Sequence, residues 1–152
     1  MRSPIAIVLA ALLACCSLSC RSTRNPIAHW SGVEGYEYLL VARCFSFGEV
    51  GLGGHTSTGE FAFRAVLRSP SAPDFFKILL SPGAHATEEG KLYALCGLRV
   101  TDRAAFERYA TELVGTDAKV TTQFGCLPVS GQMADMVKRI TNGVYDSDFT
   151  KN

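Results

Sequence analysis

Between Ser57 and Gly115 the chain repeats one arrangement four times, a helix-capping polar residue followed by an amphipathic run. Ser57 and Glu60 have capping-box spacing ahead of FAFRAVL, which predicts a helix over about 58–68, ended by Pro70. Ser71 caps the next, with Pro73 in its first turn and Asp74 at the positive end of its dipole. This helix presents Phe75, Phe76, Leu79 and Leu80 until Ser81, Pro82 and Gly83 break it. Thr87, Glu88 and Glu89 open a third helix, turning Leu92, Leu95, Cys96 and Leu98 inward. Thr101 and Asp102 open the fourth, with Phe106, Tyr109, Ala110 and Leu113 at helical spacing and Gly115 as its stop.

The four helices carry an internal echo. Gly59 over Gly90 also superposes Leu67 on Leu98, Arg68 on Arg99 and Phe75 on Phe106. A helix-turn-helix unit of that length is the building block of HEAT-like arrays. The fold class expected is therefore mainly α, built of short antiparallel helical hairpins, HEAT-like if the echo is a true repeat, with a short extended segment near 119–129. That segment, KVTTQFGCLPV, is rich in β-branched residues. Ser130 is expected to cap a final helix carrying Met133, Met136, Val137 and Ile140, and the tail from 146 is expected to be loose unless Tyr145 and Phe149 tuck in. Upstream, Tyr36, Leu40, Cys44 and Phe47 make one helical stripe that Gly48 would end, with a strand over 41–47 as the competing reading. The glycines at 48, 51, 53 and 54 read as a flexible connection.

The first residues constrain location rather than fold. Arg2 precedes an apolar run at 5–13 of about nine residues, inside the range of a secretory signal and well short of the roughly 20 that cross a bilayer. Leu12, Leu13, Ala14 and Cys15 resemble the lipobox of bacterial lipoproteins. That resemblance implies cleavage before Cys15 and a lipid on its thiol, giving a signal peptide at 1–14, a lipid-anchored tether at 15–32, one helical domain at 33–145 and a C-terminal tail at 146–152. The alternative is cleavage after Ser19, between small residues, releasing a soluble secreted or periplasmic protein that begins at Cys20.

The sequence has 15 basic and 14 acidic residues, and removal of Arg2 leaves 14 of each. No concentrated basic face is present for phosphate, so nucleic acid is not expected as a partner. His29, His55 and His85 stand far apart and lack metal-site spacing, so no metal or cofactor is expected. The glycine cluster lacks the Gly-Lys-Ser/Thr of a phosphate loop, no G-x-S-x-G occurs, and no catalytic residues are assigned. Three cysteines fall in the body. Cys96, on an apolar helical face, and Cys126, in the extended run, are the pair favoured for a disulfide in an oxidising compartment; the other reading makes Cys44, Cys96 and Cys126 small buried hydrophobes. Phe61 and Phe63 are two apart and cannot share a helical face, which makes Phe63 the first candidate for an exposed, partner-binding aromatic.

The segments GKLYALCGL and TQFGC resemble small exported bacterial lipoproteins of an uncharacterised family. The resemblance implies no activity; its carriers, Leu92, Tyr93, Leu95, Cys96 and Cys126, are consistent with a structural cysteine pair. The expected function is a lipid-anchored cell-envelope protein, not an enzyme, that binds another protein as an immunity or assembly factor. The alternative is a secreted or periplasmic enzyme using a thiol or histidine.

Overall fold

The computed structural model describes residues 29–149. Cys15 and the remainder of the signal and lipobox lie outside the described residues, as does the end of the tail at 150–152. The described chain is mainly helical, with two small antiparallel strand pairs. In order it runs α1 (Gly32–Leu40), β1 (Glu49–Val50), β2 (His55–Thr56), α2 (Thr58–Leu67), α3 (Ala72–Leu80), a 3-10 turn (Pro82–Ala84), α4 (Glu88–Thr101), α5 (Arg103–Val114), β3 (Lys119–Phe124), β4 (Leu127–Gln132), α6 (Met133–Thr141) and α7 (Asp146–Phe149).

Capping residues set most helix starts. Ser57, Thr87 and Asp102 accept the backbone N–H groups of Glu60, Gly90 and Ala105. Ser71 precedes α3 without a side-chain cap bond, so Pro73 in the first turn is what fixes that start. Ser31, unmarked in the sequence reading, makes a full capping box with Glu34. The Ser31 backbone N–H donates to the Glu34 carboxylate at 2.7 Å and holds that carboxyl below its ordinary range.

α4 is the axis of the core. Every residue from Leu92 to Leu98 is buried, as expected of a helix covered on all sides. α1 lies antiparallel on α2, with Gly32 beside Ser69 and Gly35 over Ala62 and Val66, while Phe76 of α3 sits on Gly97 of α4. A side chain at Gly97 would collide with the Phe76 ring, so this glycine permits the close approach of α3. α5 and α6 continue the layer.

Three expectations are corrected. The stripe from Tyr36 to Phe47 is not one helix: α1 stops at Leu40, and Phe45 is extended, bridging Thr122. Phe45 N–H donates to Thr121 O at 2.8 Å and Gln123 N–H donates to Phe45 O at 3.2 Å, and these pairings outweigh the helical spacing. Ser130 does not cap the last helix. It pairs with Thr121 inside β4, and α6 begins at Met133 behind Gln132. Of the tail, Asp146–Phe149 is tied down as α7, with Tyr145 buried and the Phe149 ring 5.4 Å from both Phe47 and Phe63.

Candidate functional site

The glycine-rich stretch forms a tight hairpin. Glu49 pairs with Thr56 and Val50 with His55, and the loop between them turns through Gly51 and Gly54, both at positive φ. Leu52 stands at its tip, fully exposed. The β3–β4 hairpin turns at Gly125, also at positive φ, and Cys126. The two turns meet: Gly51 N–H donates to Gly125 O at 2.9 Å, and Val50 bridges Gly125. One end of the molecule thus carries two joined hairpins, with Leu52 fully exposed, Leu127 72% exposed and Val129 56% exposed.

A buried polar clasp holds the base of this end. Ser46 N–H donates to Tyr93 Oη at 2.9 Å, while the Tyr93 hydroxyl and Ser57 Oγ both donate to Ser46 O, at 3.0 and 2.9 Å. Burial pushes the Tyr93 phenol well above its ordinary range, so it remains a donor throughout the physiological range. Gly59 makes room for it, since a side chain there would strike the Tyr93 hydroxyl.

Glu60 completes the clasp, and not as a capping-box partner. Ser57 accepts from Glu60 N–H, but the Glu60 carboxylate turns away, accepting from Gly48 N–H at 2.8 Å and from Arg64 Nη2 at 2.7 Å and Nε at 3.0 Å. Arg64 also donates to Asp148 O at 3.1 Å, which ties α7 to the same group. Glu60 is buried, so this charge is neutralised and hydrogen-bonded within the protein rather than by water. Beside it a cleft of about 540 Å³ opens between the β1–β2 hairpin and α2, bordered by Glu49, Thr56, Phe61 and Arg64. The end therefore combines an apolar tip, Leu52, with a hydrogen-bonded polar base.

The residues singled out in the sequence are not brought together. Phe63 is completely buried, stacked among Phe47, Phe76 and Phe149, and is corrected from a surface anchor to a core residue; Phe61 is the partly exposed member of the pair. The expected Cys96–Cys126 disulfide is not formed: among the described residues both are free thiols. Cys96 lies sealed inside α4, where burial pushes its thiol well up, whereas Cys126 is exposed in the hairpin turn at the surface. Cys44 is a half-exposed free thiol, pushed up by burial and then by Glu89. His29, His55 and His85 are exposed, His85 with a φ of 53°. Among the described residues no group of three or more His, Cys, Asp or Glu side chains is placed to hold a metal ion.

Sequence reasoning missed Leu52, Leu127, Val129, Tyr93 and Glu60 as parts of one site. The glycine cluster was the available signal, but nothing local tied it to a turn so much later in the chain. Comparison with protein-family models, with curated proteins and with solved structures finds no match.

Proposed function

We propose that the chain is an exported cell-envelope protein, held to a membrane by lipid on Cys15, whose helical domain binds another protein through the hairpin end around Leu52. The observation that carries this reading is the fully exposed Leu52, set on a hairpin whose base is fastened by Glu60, Ser57 and Tyr93. An apolar side chain left in water on a hairpin with a fastened base can serve as an interface anchor, because covering it with a partner removes apolar surface from water. The polarity of the domain supports the same reading. α1 begins at Gly32 beside Ser69, at the C-terminal end of α2, while the β1–β2 hairpin joins its N-terminal end. The described chain thus begins at one end of a helix about 15 Å long and the hairpins stand at the other. An immunity protein or an envelope assembly factor fits this geometry.

The test places a photo-crosslinking residue at the exposed Thr56, on the same hairpin as Leu52, in the full chain and identifies what it captures in the envelope. A defined protein is expected, with capture lost in Leu52→Asp and retained in Phe61→Ala. Cys15→Ser should release the protein from the membrane fraction. Capture that is indifferent to Leu52→Asp, or lipid labelling that persists in Cys15→Ser, overturns the corresponding half of the reading.

A further inference from the structure

We infer that the outer edge of β4 is a docking edge for a second copy of this chain, joined antiparallel about a two-fold axis at Ser130. β3 has both edges engaged, by β4 on one side and by Phe45 on the other. β4 pairs only with β3 among the described residues, and all but one of its residues, the half-buried Gly131, are exposed.

The register of the hairpin decides which groups face outward. Thr121 O accepts from Phe45 N–H and Gln123 N–H donates to Phe45 O, while Thr121 N–H donates to Glu89 Oε1, all on the side away from β4. In an antiparallel ladder their opposite residues, Ser130 and Pro128, point away from β3 in the same manner, as does Gln132 two residues on. The outward edge thus offers the N–H and C=O of Ser130, the N–H of Gln132 and the C=O of Pro128. Pro128 has no N–H to offer, which blunts the edge against indiscriminate strand addition.

One self-pairing register uses what remains. With Ser130 opposite Ser130 of the partner copy, the two serines exchange two hydrogen bonds, and each Gln132 N–H donates to the other copy's Pro128 O. Shifting the centre toward Pro128 leaves only the Ser130 N–H groups donating to Pro128 carbonyls. Shifting it toward Met133 requires the carbonyl of Gln132, which as the residue preceding α6 is committed to that helix. The Ser130-centred register is therefore preferred on hydrogen bonding alone.

Side chains agree with it. Val129 and Gly131 lie opposite Thr122 and Val120, on one face of the hairpin. In the Ser130-centred pair, Val129 of each copy stands opposite Gly131 of the other. The space a side chain at Gly131 would enter is open, with no atom within 4 Å, so it can receive the valine. Leu127 and Val129, left 72% and 56% exposed on one copy, become part of a continuous four-stranded face. The contact is isologous and closes after two copies.

The test uses the full chain in detergent with Cys126→Ser as background. Across the proposed axis the two Ser130 Cα atoms lie about 5.5 Å apart, within disulfide reach. Ser130→Cys should give a covalent dimer under mild oxidation, mapped to the two introduced thiols, while Asp117→Cys should not. Sedimentation should show a dimer that both Ser130→Pro and Gly131→Leu convert to monomer. The first removes an outward N–H that β3 does not use; the second fills the space meant for the partner's valine. Melting temperature reports whether either variant folds, and each serves as the control for the other. A full chain that stays monomeric at its highest attainable concentration, or cross-links equally well from position 117, overturns the proposal. Leu52 lies outside this seam, so partner capture and dimerisation fail independently.

Discussion

Tyr93 and Ser46, 47 positions apart in the chain, exchange two hydrogen bonds: the serine N–H donates to the phenol oxygen at 2.9 Å and the phenol donates back to the serine carbonyl at 3.0 Å. Both residues are buried. This pair joins the central helix α4 to the extended segment that leads into the β1–β2 hairpin, and neither backbone group has water as an alternative.

Removing the phenol oxygen should be costly for that reason. Tyr93→Phe keeps the ring and leaves the Ser46 N–H without a partner, so stability should fall by about 1–3 kcal/mol in chemical denaturation. Tyr145→Phe should behave in the opposite way. Among the described residues its buried hydroxyl has no hydrogen-bond partner, so its removal should leave stability unchanged or raise it. A loss in Tyr145→Phe as large as that in Tyr93→Phe would contradict the assignment.

Alkaline pH should separate the same residues from the bulk. Burial pushes the Tyr145 phenol up to about 12 from its ordinary 10, and Tyr93 higher still. Between the unfolded and folded values the folded state holds more protons, so stability is level below about pH 10 and falls as pH rises above it. Denaturation midpoints measured from pH 8 upward should bend downward near pH 10, less so in Tyr145→Phe.

Breaking the clasp should release the hairpin before the domain. Glu60→Ala takes the carboxylate from Arg64 and leaves the Gly48 N–H without its acceptor, with an expected cost of about 3 kcal/mol. Amide exchange at Gly48 should accelerate in this variant by more than exchange in α4. Glu60→Gln, which keeps an acceptor for Gly48, should retain part of the protection.

The three body thiols should react in order of exposure. Cys126 should alkylate at once in the native protein, Cys44 slowly, and Cys96 only on unfolding. Mass mapping after timed labelling checks this order. A Cys96–Cys126 disulfide recovered from the native protein would contradict this order.

The helices were legible because their information is local. Ser57, Thr87 and Asp102 cap the helices they were expected to open, and Gly115 ends α5. What failed was where distant chain segments decided the outcome. Cys44 and Phe47 keep helical spacing with Tyr36, yet the backbone around Phe45 finds its partner on β3. Ser130 looked like a cap because no pattern in the sequence reports that Thr121 lies opposite it. Phe63 was selected over Phe61 on spacing alone, which establishes that the two differ in face but not which one meets Phe76. The candidate site was the least legible part, since Glu60, read as a capping-box residue, serves the hairpin instead.

The hydrogen bond from Gly51 to Gly125 has a consequence in time. The turn bearing Leu52 leaves the ribosome long before the turn that steadies it, and a contact between such distant segments carries the loop-closure entropy of all the chain between them. A nascent chain that has not yet reached residue 125 therefore lacks the finished hairpin end. The surface around Leu52 is complete only once that later turn has been delivered and folded against it.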